Sequence, residues 1–316
     1  MCIRDRNRPV CWGQRNESCD FFMQDAKSGK RTEKRFLFGE MACYNETYKR
    51  TGIPPEQKEN TMKKLNIAII GYGRSGCDIH GAFLRSKDND ICNVVAVVEY
   101  DPARAEAARK DFGCDTYSDY RELFHRTDID FVTNASYSNE HFPVALDLLN
   151  HGFNVLCEKP LCKSPEQVQQ LMDAAKAHNC ELTIFHQYRY NDYYLEMKKL
   201  LDKKVLGDVK LVRARQNFFA RRYDWQTLLY REGGAMRNNA AHTIEQIMDL
   251  AGSDELPEIH SRMEIWNSVG DAEDYMFATM KYSNGTVYEV EFNPSEAYAD
   301  GCLVDIYGTR GTMKVY

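Results

Sequence analysis

The sequence predicts an α/β protein whose first domain is a doubly wound parallel sheet and whose second domain consists mainly of strands. Three observations favour this class. A buried, apolar strand leads directly into a glycine-rich turn and a helix over residues 65–85. Strand and helix patterns then alternate to about residue 185, as parallel sheets require. After residue 208 the patterns are those of strands, and Ser283-Asn284-Gly285 predicts a hairpin turn between two of them.

Composition excludes several classes of protein. The 316 residues are 43% hydrophobic and 28% charged, which is typical of a soluble globular chain of roughly two domains. The longest apolar runs are far shorter than the roughly 20 residues that cross a membrane, so we expect no membrane partner. A net charge of -6 with interleaved acids and bases offers nucleic acid no basic surface. The 11 cysteines are scattered, without a signal peptide or metal-ligand spacing, which predicts reduced thiols, a cytoplasmic protein and no metal site.

The amino-terminal residues 1–61 differ from the rest of the chain. They carry a net positive charge and show no sustained helical or strand period. From Met62 the pattern changes at once to a buried strand, which is a common start for an α/β protein. We therefore interpret 1–61 as a non-native or disordered leader, with a native amino-terminal extension as the alternative. The dinucleotide-binding domain is expected at 62–187 and the second domain at 188–316.

The glycine turn is the strongest local signal. It follows the strand at 65–70 and reads Gly71-Tyr72-Gly73-Arg74-Ser75-Gly76. Gly71 permits the tight turn, Gly73 lets the backbone approach a pyrophosphate, and Gly76 lets helix and strand pack closely. The free amides at the helix start attract the pyrophosphate. Glu99, at the end of the next strand, is expected to accept hydrogen bonds from ribose hydroxyls and to repel a 2'-phosphate, so NAD is favoured over NADP. A structural turn with an incidental acid is the alternative.

The ends of the later strands carry polar residues that are candidates for binding or catalysis. Ligands of such sheets bind beyond the carboxyl ends of the strands. Residues 136–141 follow one strand, and Cys157-Glu158-Lys159-Pro160 ends another. A charged pair at a strand end is costly unless it faces a ligand, so Lys159 is the leading catalytic candidate; a surface lysine paired with Glu158 is the alternative. Strands are predicted at 94–98, 130–135, 154–157 and 181–185, and helices at 77–85, 102–111, 118–126, 140–150 and 165–178.

Three motifs occur in order along residues 65–316. They are the glycine turn with Glu99, the Cys157-Glu158-Lys159-Pro160 motif, and Gly233-Gly234-Ala235-Met236-Arg237-Asn238-Asn239-Ala240-Ala241-His242. By these motifs the chain resembles the glucose-fructose oxidoreductase, inositol dehydrogenase and rhizopine-catabolism (Gfo/Idh/MocA) family of NAD(P)-dependent dehydrogenases. The resemblance implies a Rossmann domain followed by an α+β domain on an open, mainly antiparallel sheet that covers the active site and often forms an oligomer interface.

The second domain agrees with this implication, although we expect it to be incomplete. Strands are predicted at 209–218, 258–266, 275–282, 286–292 and 303–307, and a helix at 239–250. The chain ends at Tyr316, just after a hairpin turn at 308–311. We therefore expect a truncated second domain with an exposed sheet edge, and a homo-oligomer only in the full-length protein.

The resemblance also implies roles for residues. Lys159 would orient and polarise the reacting hydroxyl, and His242 would be the general acid/base, because histidine titrates near neutral pH. Asn238 stands where many family members have an aspartate; it can hydrogen-bond a substrate but cannot take a proton. Arg189 matches a position that faces substrate, with a surface arginine as its alternative. Glu245 matches a frequent aspartate or is a helix-surface carboxylate.

The residues expected to bind the cofactor come from the three strand ends. Ser136 and Ser138 stand where the family often has Thr-Pro-Asn, and His141 keeps its place after them. The basic, aromatic stretch 221–225 is a candidate substrate lid. The complete predicted cofactor set is Gly71, Tyr72, Gly73, Arg74, Ser75, Gly76, Glu99, Ser136, Ser138, His141, Glu158 and Lys159.

The expected function is an NAD-dependent dehydrogenase. Its substrate would be a small polyhydroxylated molecule, oxidised at a secondary hydroxyl of a sugar, cyclitol or sugar derivative. Two alternatives stay open. One is a glycosidase of the same family that uses retained NAD as an internal hydride relay. The other is a catalytically silent, NAD-sensing protein on the same fold, for which Asn238 is the main support.

Overall fold

The computed structural model describes residues 19–25, 31–36 and 64–316. The first two segments are strands β1 (Cys19–Asp25) and β2 (Arg31–Phe36). The remaining residues form two sheets with helices packed against them. No helix in the described part of the chain is long and apolar enough to cross a membrane.

The first sheet is parallel throughout and has the strand order β5-β4-β3-β6-β7-β8. This is the doubly wound arrangement that the sequence predicts. Its strands are β3 (Leu65–Ile70), β4 (Cys92–Val98), β5 (Asp115–Tyr117), β6 (Phe131–Asn134), β7 (Val155–Glu158) and β8 (Leu182–Phe185).

Helices connect these strands. A π-helical segment, Arg74–His80, continues into the short helix α1 (Gly81–Leu84), so the first helix is irregular rather than a uniform α-helix. Residues 120–125, predicted as part of an α-helix, form a 3₁₀ helix instead. The regular helices are α2 (Pro102–Phe112), α3 (Ser138–Asn150) and α4 (Pro165–Ala177).

Helix α2 shows how local sequence fixes an element. The Asp101 side chain accepts hydrogen bonds from the amides of Ala103 and Arg104, at 2.8 and 3.2 Å, and Pro102 is the first helical residue. The helix ends at Gly113, whose φ of 64° is left-handed. Asp101 is therefore a helix cap, which leaves Glu99 as the acid at the end of β4.

Apolar residues cover both faces of the parallel sheet. One face packs Ala68 and Val132 against Leu148 of α3 and Leu171 of α4. The opposite face packs the next residues along the strands, such as Ile69, against the first two helices. Burial on both faces explains why the strands are continuous apolar runs. Because the strands are parallel, their carboxyl ends lie at the same edge of the sheet.

The second sheet has eight strands in the order β10-β11-β12-β9-β13-β14-β1-β2. Every pair is antiparallel except β12 and β9, so the prediction of an open, mainly antiparallel sheet is confirmed. One face packs on helices α5 (Asp192–Asp202) and α6 (Ala241–Ala251). The strands are β9 (Val209–Asn217), β10 (Glu258–Glu264), β11 (Tyr275–Lys281), β12 (Val287–Asn293), β13 (Val304–Gly308) and β14 (Gly311–Val315).

The amino-terminal strands correct the expectation of an exposed sheet edge. Residues 1–61 have no strand period in the sequence, yet β1 pairs antiparallel with β14 and β2 with β1. Strand β14 is therefore not a sheet edge, and the edge expected there is covered. The other residues of 1–61 lie outside the described part, so the assignment of that segment as a leader stays a prediction, as do the domain boundaries.

The buried face of α3 gives a stability prediction. Leu148 is fully buried, and its replacement by Ala leaves a cavity under the sheet, so Leu148→Ala should lower the free energy of unfolding by about 2–5 kcal/mol. Met172→Ala, on an exposed face of α4, is the matched control and should cost much less. Urea denaturation measures both. An equal loss in the two variants would contradict the assigned core.

Candidate active site

The glycine turn between β3 and the first helix is fixed by close contacts. Gly71 has a φ of +85°, and a Cβ atom there would lie 2.5 Å from the carbonyl oxygen of Ala135. A Cβ atom at Gly76 would lie 1.9 Å from the carbonyl oxygen of Gly71. At Gly73, by contrast, the described residues other than its two chain neighbours place no heavy atom within 4 Å of that position. Two glycines are therefore required by the fold, and the third keeps open space beside the backbone.

A cavity of about 570 Å³ lies at the carboxyl ends of the parallel strands, within the usual range for ligand pockets. The second domain closes one side of it with residues that include Arg222 and Trp225. Tyr72, Gly76, Arg189 and His242 do not line it. The predicted site residues that do line it are Gly71, Gly73, Arg74, Ser75, Glu99, Ser136, Ser138, His141, Glu158, Lys159 and Asn238.

Glu99 sits at one end of this cavity and is held from three sides. Its Oε2 accepts a hydrogen bond from the amide of Tyr72 at 2.8 Å, and its Oε1 accepts one from the amide of Asp101 at 3.0 Å. Arg104 donates to the same Oε1 at 3.0 Å. The Tyr72 ring is buried and its hydroxyl donates to Asp111 at 2.6 Å. Tyr72 thus contributes its amide to the turn, while its side chain belongs to the core.

His141 connects two of the strand-end segments. Its Nδ1 lies 2.7 Å from the carbonyl oxygen of Pro160 and its Nε2 lies 3.1 Å from that of Ser136. Burial lowers the pKa of His141, although the contacts with these two carbonyl oxygens act to raise it. Ser136 donates to Asn134 at 2.7 Å, and Ser138 is the first residue of α3. The histidine therefore shapes the cavity wall between the ends of β6 and β7.

Glu158 is a buried carboxylate at the end of β7. Its Oε1 accepts hydrogen bonds from the Ser75 hydroxyl and from Nε2 of His80, the latter at 3.0 Å. Burial acts to raise the pKa of Glu158, but His80, Lys159 and Ser75 together outweigh burial. The resulting pKa lies well below the ordinary value, so the carboxylate is ionised.

Lys159, the next residue, reaches from the first domain to the second. Its Nζ donates to the backbone carbonyl of Asn238 at 2.8 Å. Burial lowers the pKa of Lys159, the Glu158 charge raises it, and Arg74 and Arg222 lower it further, to about 8. Lys159 therefore changes its charge close to neutral pH, which suits a group that exchanges protons with substrate.

His242 and Asn238 lie on one continuous helical stretch beside Lys159. The His242 ring stacks on Tyr188 with centroids 4.2 Å apart, and its Nδ1 is buried with no hydrogen-bond partner among the described residues. Burial and then the Lys159 charge lower the pKa of His242 to about 3. This differs from the expectation that His242 titrates near neutral pH. The Asn238 side chain donates to the carbonyl of Gly234 at 3.2 Å.

Arg189 is not brought to the cavity. Its guanidinium is ion-paired with Glu245, and its Nη2 lies 3.9 Å from Asp249. Both acids lie on α6, so Arg189 ties the end of the parallel sheet to the second domain. Glu245 is accordingly the partner of a cation rather than an isolated surface carboxylate. The substrate role expected for Arg189 stays a prediction.

Sequence reasoning missed three residues near the site. His80 lies one helical turn after Gly76, on the face that meets the sheet; a histidine on an apolar helix face was the available signal. His186 follows β8, and its ring lies 6.3 Å from that of His242. The rings of Tyr137 and Trp225 pack edge to face, with centroids 5.3 Å apart, so part of the candidate lid does reach the first domain. Across the described residues, no cluster of three or more histidine, cysteine, aspartate or glutamate side chains could hold a metal ion.

The fold and cavity define an NAD-binding oxidoreductase, and comparison with known proteins agrees. Residues 65–186 match the family model described as "Oxidoreductase family, NAD-binding Rossmann fold", and residues 194–314 match the one described as "GFO/IDH/MocA C-terminal domain". The chain therefore belongs to the Gfo/Idh/MocA oxidoreductase family.

Similar proteins act on several small molecules. The chain is 30% identical over 254 residues to trans-1,2-dihydrobenzene-1,2-diol dehydrogenase of Danio rerio, covering 79% of this chain and 74% of that protein. It is 24% identical over 269 residues to 2,7-anhydro-N-acetylneuraminate hydratase of Mediterraneibacter gnavus, covering 80% and 68%. The fold matches the WlbA dehydrogenase of Bordetella pertussis, solved with NADH and UDP-GlcNAcA, with a TM-score of 0.72 at 20% identity over 81% and 74% of the chains.

The glycine turn yields a paired prediction. Gly73→Ala adds a methyl group where the cavity is open, so we expect an unchanged melting temperature and at least about tenfold weaker NADH binding, or ~1.4 kcal/mol. Gly76→Ala forces a backbone clash and should lower the melting temperature itself. Fluorescence titration and thermal melts separate the two effects. Full NADH affinity in Gly73→Ala would refute the assignment of this turn to the cofactor.

Proposed function

We propose that the protein transfers hydride between NAD and a secondary hydroxyl of a sugar, cyclitol or sugar derivative. The observation that carries this proposal is a lysine with a pKa of about 8 in the same cavity as a glycine turn and a strand-end carboxylate. A bound nicotinamide would supply the hydride acceptor. The protein would supply the proton transfer and the orientation of the substrate.

Lys159 is the proposed proton acceptor. Above its pKa the amine is neutral and takes the proton of the reacting hydroxyl as the hydride leaves the same carbon. His242, with a pKa of about 3, stays neutral and serves as a hydrogen-bond partner. Asn238 is also uncharged and lines the cavity beside Lys159. These proposed roles differ from those that the resemblance implies, in which His242 is the general acid/base. The reason for the difference is that burial and the lysine charge lower the pKa of the histidine.

Glu99 supports NAD as the cofactor. Its Oε2 accepts one protein hydrogen bond, from the Tyr72 amide, and a carboxylate oxygen can accept another. A ribose hydroxyl fits that role, whereas a 2'-phosphate would meet a negative charge. Arg104 pairs with the other oxygen and holds the carboxylate in place. The NADH named with the Bordetella pertussis structure is consistent with this choice.

A hydroxylated substrate is supported by the relatives and by the cavity. The names of the similar proteins include a diol and a nucleotide sugar. On the substrate side, the cavity wall carries hydrogen-bonding groups from Arg222, Gln226 and Asn238. Such groups suit a molecule with several hydroxyls.

The pH dependence follows from the ionisation of Lys159. Its neutral form is required for oxidation, so the oxidation rate should rise as pH increases through about 8. Reduction requires the ammonium form, so its rate should fall across the same interval. Initial rates from pH 6 to 10 in both directions check this. Profiles that change together, in the same direction, would contradict the proton role of Lys159.

The function itself is tested with a substrate panel and a lysine variant. Wild-type protein with NAD and myo-inositol, glucose or glucuronate should form NADH. Lys159→Ala should lower kcat by about 10²–10⁴-fold, the usual contribution of a general acid or base, without lowering NADH affinity. Lys110→Ala, at an exposed position of α2, is the control.

Other outcomes of that panel would replace the proposal. When p-nitrophenyl glycosides are added to the panel, retained cofactor with glycoside cleavage and no net NADH would favour the glycosidase of the same family. NAD binding without any turnover, unchanged by Lys159→Ala, would favour an NAD-sensing protein.

A further inference from the structure

His80 is a buried histidine that the proposed reaction does not use directly. It ends the π-helical segment after the glycine turn and is fully buried. Its ring packs on Phe185 of β8, with centroids 4.5 Å apart. Its Nε2 lies 3.0 Å from Oε1 of Glu158. The histidine thus joins the first helix to the ends of two strands beneath the cavity.

The Glu158 carboxylate connects His80 to the reacting end of the site. The same Oε1 that meets His80 accepts a hydrogen bond from Ser75 in the glycine turn. The other oxygen, Oε2, lies 3.3 Å from the backbone nitrogen of Lys159. A buried carboxylate is costly unless charged or hydrogen-bonding groups compensate it. His80 and Ser75 supply that compensation on the side away from the lysine.

The charge of Glu158 matters because most other groups around Lys159 are positive or neutral. Arg74 of the glycine turn and Arg222 of the second domain both act to deprotonate the lysine. The charge of Lys159 helps to lower the pKa values of His186 and His242, so both rings are neutral. Glu158 is the acid that acts to keep Lys159 protonated. Any change that neutralises Glu158 therefore favours the free amine of Lys159.

We propose that His80 is a positioning residue of the reaction. By holding the Glu158 carboxylate, His80 fixes the position of Lys159 and determines how strongly the protein stabilises the positive charge of that lysine. The inference rests on the proposed function, because it assigns the pH range of that reaction to a residue outside the cavity. Loss of His80 removes one of the contacts that hold the Glu158 carboxylate in place beneath Lys159. A carboxylate that is free to move away stabilises the ammonium form of Lys159 less, so the pKa of Lys159 falls.

Three variants grade this effect. His80→Asn keeps a hydrogen-bonding side chain at this position, and His80→Ala removes it. Ser75→Ala removes a different contact of the same carboxylate at a partly exposed position, so it tests the connection without disturbing the buried histidine. We expect His80→Ala to lower the pKa of Lys159 more than His80→Asn does. The shift in Ser75→Ala should have the same direction.

The ionisation of Lys159 can be measured without turnover. Brief labelling with acetic anhydride across pH 6–10, followed by peptide mass spectrometry, reports the fraction of free amine at Lys159 relative to exposed Lys110. In His80→Ala and His80→Asn the labelling curve of Lys159 should move to lower pH, with about threefold or greater labelling at pH 7 than in wild type. His178→Ala, at the exposed end of α4, is the control and should give the wild-type curve.

Turnover gives the second measurement. In the same variants the rise of the oxidation rate with pH should move to lower pH in step with labelling, and the Asn variant should retain more activity than the Ala variant. A uniform drop in kcat with unchanged labelling and pH profile would overturn the inference and leave His80 a purely structural residue. If the His80 variants fail to fold, judged by circular dichroism, an unshifted labelling curve in Ser75→Ala overturns it.

The two proposals fail in different ways. A labelling shift in protein that oxidises no polyol would refute the proposed function and leave the connection from His80 to Lys159 intact. Polyol oxidation that depends on Lys159, with no shift in any variant, would refute the role of His80 alone.

Discussion

The site depends on one buried charge, the Glu158 carboxylate at the end of β7. It lies between the glycine turn, which it contacts through Ser75, and Lys159, which follows it in the chain. His80 contacts it from the helix beneath. Because an unpaired carboxylate in this position would be strongly destabilising, the three contacts are constraints on the fold as well as features of the site. They hold the glycine turn and Lys159 in a fixed position relative to each other.

The second domain completes this arrangement by closing the cavity from the other side. Lys159 donates to the Asn238 carbonyl across the domain boundary, and Arg189 pairs with Glu245 on the same helix as His242. Trp225 meets Tyr137 at the cavity rim. Lys159 is thereby removed from bulk water, which lowers its pKa toward neutral pH. The closure of the cavity and the lowered pKa of Lys159 therefore both result from the packing of the second domain against the first.

Much of the first domain could be predicted because its signals are local. The glycine turn, the apolar strand before it and the polar residues at the ends of β6 and β7 lie within short stretches of sequence, and the topology of a parallel sheet gathers them at one edge. The cap at Asp101 is likewise set by adjacent residues. For these features, spacing along the chain decides position in space.

The remaining features depend on partners that are distant in sequence. The pairing of β1 with β14 joins segments almost 300 residues apart in the sequence, and no local pattern predicts it. The ion pair of Arg189 with Glu245 removes that arginine from the cavity. The pKa of His242 follows from burial and from the nearby Lys159 charge, neither of which the motif encodes. The contact of His80 with Glu158 requires the first helix and β7 to be adjacent. In each case tertiary packing, rather than residue type, sets the chemistry.

The central claim is that the glycine turn binds NAD and that Lys159 takes the proton of the substrate hydroxyl whose carbon gives hydride to NAD. The most direct measurement uses perdeuterated myo-inositol, glucose and glucuronate with unlabelled NAD, followed by mass spectrometry of the nicotinamide product. The account predicts one deuterium in the NADH formed by wild-type protein from at least one of these substrates, and about 10²–10⁴-fold slower labelling in Lys159→Ala. Deuterium incorporation at the wild-type rate in Lys159→Ala, or none from any substrate despite bound NAD, would contradict it.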